Sequence, residues 1–174
     1  ANGGQDTLNF NAVISAFNLV VDLAGLSVTD GANNVAFSAI EVVRGGQGAD
    51  DFLIDGTQVY DLYGHDGGDD FIFSNYGALN GVIDGEGGHD LLDYSGDLGT
   101  QFTNRYFTLT GLGTSDGFNG SEISINAGFY NIDEIMGGIK QDSVEGVNLA
   151  GLFQIHAPAG TVDYSAGGHD LQLS

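Results

Sequence analysis

Short apolar runs recur along this chain, with glycine-containing turns between them. Val42-Val43, Phe52-Leu53-Ile54 and Phe71-Ile72-Phe73 are runs of this kind. Longer segments alternate: Asn18-Leu19-Val20-Val21-Asp22-Leu23, Arg105-Tyr106-Phe107-Thr108-Leu109-Thr110 and Glu122-Ile123-Ser124-Ile125 carry β-branched or aromatic residues at roughly every second position. A period of two puts such residues on one face of a strand. No uninterrupted apolar helical stripe is present, and glycine arrives too often for a helix to propagate. The pattern predicts an all-β chain of short strands with almost no helix.

The turns repeat together with the strands. Gly3-Gly4-Gln5-Asp6-Thr7-Leu8-Asn9-Phe10 returns as Gly87-Gly88-His89-Asp90-Leu91-Leu92-Asp93-Tyr94, and its opening returns again as Gly167-Gly168-His169-Asp170-Leu171. Leu23-Ala24-Gly25-Leu26 is echoed by Leu109-Thr110-Gly111-Leu112 and more closely by Leu149-Ala150-Gly151-Leu152. Thr29-Asp30-Gly31-Ala32-Asn33 matches Ser115-Asp116-Gly117-Phe118-Asn119, and the stretch from Ala39 to Gly46 matches the one from Asn131 to Gly138 with one offset. Self-similarity on this scale marks a repeat architecture. The expected organisation is a single β-solenoid domain over residues 1–174. It holds two long units, 3–86 and 87–166, and the start of a third.

Composition narrows what the turns can do. Of 174 residues 30 are glycine and one is proline, with no three-residue glycine period, which excludes a collagen helix. Cysteine is absent, so neither disulfides nor thiolate metal sites can staple the fold. Twenty-four acidic residues stand against three basic ones, Arg44, Arg105 and Lys140, a formal net charge of −21. Such a surface repels phosphate, which argues against nucleic acid and anionic membranes as partners and favours cations. No apolar run approaches the roughly 20 residues a membrane-crossing helix needs, so membrane insertion is not expected. No signal peptide is visible, and the opening Ala1-Asn2-Gly3-Gly4 reads as a processed chain or a fragment.

Three turns share one spacing. Gly45-Gly46-Gln47-Gly48-Ala49-Asp50-Asp51-Phe52-Leu53 fits the nonapeptide G-G-x-G-x-D-x-U-x at every fixed position. Gly64-His65-Asp66-Gly67-Gly68-Asp69-Asp70-Phe71-Ile72 and Gly85-Glu86-Gly87-Gly88-His89-Asp90-Leu91-Leu92-Asp93 keep the first and fourth glycines, the aspartate and the apolar eighth residue. Residues 45–93 are therefore the strongest nonapeptide region. Weaker copies end at Asp6, Asp142 and Asp170, and Lys140 puts a cation into the turn before Asp142.

On these nonapeptides the chain resembles the repeats-in-toxin (RTX, haemolysin-type calcium-binding repeat) proteins. The resemblance implies a right-handed parallel β-roll whose glycine-rich turns bind several Ca2+ ions. Calcium takes six to eight oxygen ligands at about 2.3–2.6 Å, which turned-in carbonyls and aspartates supply. Asp50, Asp69 and Asp90 are the leading ligand candidates, with ions shared between neighbouring turns. Carbonyls of Gly45, Gln47, Gly64 and Asp66 are implied partners, and Asp6 and Asp170 are candidates at the termini. The opposite edge, Asp55-Gly56-Thr57-Gln58 and Asn75-Tyr76-Gly77-Ala78, departs from the family pattern, so calcium is expected on one edge only.

Other chemistry is weaker. His65, His89 and His169 sit beside the turn aspartates, but the repeat itself sets their spacing, and solvated turn residues explain them better than a zinc or copper site. No nucleophile elbow or H-E-x-x-H motif is present, so an enzyme is not expected. Phe10, Phe52, Phe71, Phe73 and Tyr94 follow the turns and read as a stacked core ladder. Tyr60, Tyr63, Tyr76, Tyr106 and Tyr130 are candidates for outward positions, where surface glycans could stack.

The expected function is a calcium-stabilised extracellular structural protein. It would be secreted to a bacterial cell surface as a self-stacking module of a filament, adhesin or surface layer. Head-to-tail association with further copies or repeats follows from the related turns at Asp6 and Asp170. The rival reading is a calcium-folding accessory or secretion module of a secreted enzyme or toxin. The acidic, apolar ending Asp170-Leu171-Gln172-Leu173-Ser174, similar to a type I export signal, fits that reading.

Overall fold

Strict alternation decides which side chains enter the core. In the strand Asp51–Gln58, Phe52 and Ile54 have no exposed surface, while Asp51, Leu53 and Asp55 are half-buried. Phe71 and Phe73 are buried in the same way from Asp70–Leu79, and Leu62 from Asp61–Asp66. The computed structural model describes all residues except 1–3, 15, 98–103, 139–141, 148–150, 157–160, 167–168 and 174. For 151–156, 161–166, 169, 170 and 172 it describes the backbone alone. Among the described residues there are 18 strands and no helix, so the fold is all-β, with parallel and antiparallel pairs mixed.

Two parallel ladders organise these strands, and the chain alternates between them. The first contains β1 (Thr7–Asn9), β5 (Val42–Arg44), β7 (Asp61–Asp66), β9 (Ile83–Gly87) and β13 (Ile125–Ile132). The second contains β2 (Val20–Asp22), β6 (Asp51–Gln58), β8 (Asp70–Leu79), β10 (Leu91–Asp93), β14 (Glu134–Met136) and β18 (His169–Leu173). In register, Val43, Leu62 and Ile83 line the first ladder, and Phe52, Phe71 and Leu92 the second. All six have no exposed surface. Fully burying a side chain of this size stabilises by about 1.5–3 kcal/mol. Phe52 stacks on Phe71 with ring centroids 4.9 Å apart, and Phe73 on Tyr94 at 4.3 Å. These four are members of the aromatic ladder expected from the sequence; the fifth, Phe10, is half-buried and packs against the core beside β5, with no ring stacked on it among the described residues.

Antiparallel hairpins interrupt the parallel winding. β3 (Ser27–Thr29) and β4 (Asn34–Ala36) fold back from β2, and β12 (Phe118–Glu122) joins β11 (Tyr106–Leu112) to β13. β16 (Gly151–His156), β17 (Thr161–Ala166) and β18 form a third meander, and β15 (Ser143–Glu145) pairs with β11.

The two halves repeat each other's hydrogen bonds. Glu41 and Val42 both donate their N–H to the Asp6 carbonyl, and Asp133 and Glu134 do the same to that of Asp90. Phe10 N donates to Arg44 O as Tyr94 N does to Met136 O. β2 pairs with β6 as β11 pairs with β15. The matched segments Thr29–Asn33 and Ser115–Asn119 are not equivalent in space, however. The first lies between β3 and β4, the second between β11 and β12. The hairpin β11–β12 runs on to the pair Leu112↔Phe118, whereas β2–β3 already turns after Asp22↔Ser27. Similar turn residues therefore close different hairpins.

Candidate cation-binding turns

Each turn brings a glycine and the aspartate five positions later into contact. A side chain at Gly45 would strike Asp50 Oδ2 and the Gly64 carbonyl, and one at Gly64 would strike Asp69 Oδ2 and the Gly85 carbonyl. At Gly85 the obstacles are Asp90 Oδ2 and the Asn131 carbonyl. Only glycine leaves room for both oxygens. A carboxylate oxygen of one turn and a carbonyl oxygen of the next coil thus flank the same Cα three times over.

The aspartates stack by holding one another's backbone. Asp50 Oδ1 accepts the N–H of Leu19 at 2.7 Å, and Asp69 Oδ1 accepts that of Asp50 at 2.8 Å. Asp90 Oδ1 accepts the N–H of Asp69 at 2.9 Å, and Asp133 Oδ2 accepts that of Asp90 at 3.2 Å. The three turns therefore lie on one edge in register, with steps of 19 and 21 residues. Asp50, Asp69 and Asp90 have no exposed surface.

Their second oxygens differ. Asp50 Oδ2 accepts Gly46 N–H at 2.6 Å, whereas Asp69 Oδ2 and Asp90 Oδ2 are buried without a hydrogen-bond partner. A buried, unmatched carboxylate oxygen is costly. Burial pushes the Asp69 carboxyl up to about 8 and the Asp90 carboxyl to about 7, against the N–H donors, which favour the ionised form. Asp50 is raised for the same cause, opposed by its two N–H donors, Gly46 and Leu19, and raised further by Asp51. Among the described residues, two carboxylate oxygens of these turns, one on Asp69 and one on Asp90, are thus left without a hydrogen-bond partner.

The remaining sequence candidates are placed as follows. Gly45 and Gly64 sit in the cradles just described, and the Gly64 carbonyl faces Asp50 Oδ2 across Gly45. Gln47 turns its amide to the Asn11 carbonyl at 3.4 Å, towards the first segment of the chain. Asp66 is exposed at the end of β7, opposite Gly87 in β9. Asp6 is exposed and donates its N–H to Glu41 Oε2 at 2.8 Å, as Asp90 does to Asp133. The side chains of Asp170 and His169 lie outside the described residues, as does Lys140. Asp142 makes the turn contacts of its better-matched relatives: Oδ1 accepts Arg105 N–H at 2.7 Å, and Oδ2 lies against Gly137. His65 and His89 sit at the rim, His65 facing Glu86 at 3.7 Å and His89 exposed. Tyr76, Tyr106 and Tyr130 are exposed, while Tyr60 packs on Phe37 and Tyr63 lies under the Arg44 guanidinium.

Two acidic residues join the edge unannounced by the nonapeptides. Asp133 precedes β14 and continues the ladder beyond Asp90, and Asp116 comes from the β11–β12 loop to accept Gly88 N–H at 3.1 Å. The repeat of Ala39–Gly46 in Asn131–Gly138 was the available signal for Asp133. Asp116 had only its Asp-Gly turn. No family model, curated protein or solved structure matches this chain.

Proposed function

We propose that the chain is a calcium-stabilised, right-handed parallel β-roll that serves as a structural module outside a bacterial cell. The observation that carries this reading is the ladder Asp50–Asp69–Asp90. It stacks three glycine–aspartate turns in register and leaves two buried carboxylate oxygens without partners. The donor set is all oxygen, as a hard cation requires. Asp69 and Asp90, together with the Gly85 and Asn131 carbonyls, are the groups that would hold calcium, and Asp50 with the Gly64 carbonyl would hold it less strongly. Calcium would neutralise charge that folding otherwise concentrates, so that binding free energy becomes folding free energy. That coupling suits a protein that stays loose where calcium is scarce and folds after export.

Self-stacking is the role we favour for the folded module. At one end β4 is exposed along its whole length, and Val35 with Ile14 and Phe17 rims an apolar pocket floored by Leu19 and Val28. An open strand edge beside exposed apolar side chains favours pairing with another coil. Surface glycans remain the alternative partner for the exposed tyrosines.

Circular dichroism during a calcium titration tests the coupling: β signal should rise with calcium and collapse with chelator. A full β signal in excess chelator would sink it. Light scattering with and without calcium then tests stacking, because a monomer at high concentration in calcium would favour the accessory-module reading.

A further inference from the structure

The loop between β11 and β12 is built onto the third turn rather than left in solvent. Ser115 N donates to Asn131 Oδ1 at 3.0 Å, Gly113 N to Gly117 O at 3.0 Å, and Gly88 N to Asp116 Oδ2 at 3.1 Å. Asn131 is itself fixed: its Nδ2 donates to Asp84 Oδ1 at 2.6 Å, and its backbone takes φ of 52°, a conformation L side chains rarely adopt. These bonds carry Asp116 to Asp90 and Asp133, where one oxygen from each of the three lies within 4.8 Å of the others.

Three carboxylates from three separate stretches would repel if nothing joined them. Part of each is already used: Asp90 Oδ1 by Asp69 N–H, Asp116 Oδ2 by Gly88 N–H, Asp133 Oδ2 by Asp90 N–H. What remains is pointed. Asp90 has no exposed surface, and its Oδ2 is buried without a hydrogen-bond partner, as is Asp116 Oδ1. The Asn131 carbonyl lies beside Asp90 Oδ2 over Gly85, adding a neutral oxygen.

We propose that Asp90, Asp116 and Asp133 form a divalent-cation site of calcium type that clamps the β11–β12 loop onto the third turn. It differs from the sites between stacked turns, because Asp116 and Asp133 belong to no glycine-rich nonapeptide. It shares Asp90 and the Asn131 carbonyl with the calcium reading above but does not depend on Asp50 or Asp69. Oxygen-only ligands at irregular positions suit calcium better than magnesium, which demands a near-octahedral shell. The cation ties an inserted hairpin to the ladder it interrupts, so that the parallel stack continues into β13 and β14.

The test is terbium luminescence and calcium calorimetry on the full chain, comparing wild type with Asp116→Asn, Asp133→Asn and the double variant Asp50→Asn/Asp69→Asn. Asparagine keeps an oxygen for the Gly88 and Asp90 N–H groups, so folding is preserved, and circular dichroism verifies it. Asp116→Asn and Asp133→Asn should each remove a bound ion or weaken one by about ten-fold or more. The Asp50/Asp69 variant should retain that ion. Unchanged stoichiometry and affinity in both single variants would overturn the site while leaving the stacked-turn reading intact. An ion that survives the Asp50/Asp69 change and is lost with Asp116 supports the site even if the stacked turns bind nothing. Hydrogen exchange supplies a readout free of variants: calcium should slow exchange at Gly88 and Ser115 in the wild type, and no change there would also overturn the proposal.

Discussion

Asp69 accepts the backbone N–H of Asp50 through Oδ1 at 2.8 Å, while its other oxygen is buried with no hydrogen-bond partner. One side chain thus does two things: it fixes the spacing between successive turns and presents an unmatched charge at their interface. The neutral acid is tolerated there, and so is a carboxylate with a cation. A bare carboxylate is the disfavoured state.

That preference makes stability depend on pH with a defined sign. Folding raises Asp69 to about 8 and Asp90 to about 7 from ordinary values near 3.8, so the folded chain holds more protons between these limits. In chelator the contribution is fully present below about pH 4 and is lost as pH rises through about 7 to 8. Denaturant midpoints in chelator should therefore fall from pH 5 to pH 8.5, and millimolar calcium should abolish the fall. Midpoints that rise with pH in chelator would contradict the buried, unmatched state of these carboxyls.

Asp69→Asn should split the two conditions. The asparagine oxygen can still accept the Asp50 N–H, and its amide group stands where Oδ2 lay, beside the Gly85 carbonyl. Without calcium at pH 8 the variant should be more stable than wild type by about 1 kcal/mol. With calcium it should be less stable, having lost a charged ligand. Equal changes in both conditions would show that Asp69 acts through packing alone.

The first glycine of each turn is the next point of sensitivity. Gly64→Ala would drive a methyl into Asp69 Oδ2 and the Gly85 carbonyl, and backbone cannot move aside cheaply. A loss of about 2–4 kcal/mol is expected, in thermal or chemical unfolding. Gly111→Ala is the control: a Cβ there meets nothing within 4 Å, and stability should change by less than about 0.5 kcal/mol.

The stacked turns and the aromatic ladder were legible because both follow from a fixed spacing. Once Asp50, Asp69 and Asp90 share a turn position, Phe52, Phe71 and Leu92 must share a core position two residues on. The Asp90–Asp116–Asp133 cluster was not legible, since it depends on how far β11 and β12 run before turning. Nor was the aspartate-to-backbone ladder, which commits one oxygen of each candidate ligand to the neighbouring coil. The buried neighbourhood of Arg105 escaped for a related reason, because it is set by pairing between β11 and β12 and not by a motif.

That neighbourhood carries the last prediction. Arg105 is 2% exposed, is bonded to Asp97 and to Glu122, and lies 4.1 Å from the Tyr94 ring centroid. Strand register and shared hydrogen bonds make Tyr94, Asp97, Arg105 and Glu122 the counterparts of Phe10, Val13, Leu19 and Val28. One half of the chain thus fills this position with an ion network where the other uses apolar side chains. Breaking such a network by removing one partner strands buried charge, whereas replacing the whole set with apolar residues is often neutral or stabilising. Arg105→Leu alone should cost about 3–5 kcal/mol. The quadruple change Arg105→Leu, Asp97→Val, Glu122→Val and Tyr94→Phe copies the first half and also removes the hydroxyl that bonds Glu122. It should recover part of that loss in denaturant unfolding, the Ser124 N–H being left without its Glu122 acceptor. A quadruple variant as unstable as the single one would mean that the two halves pack this position by different rules.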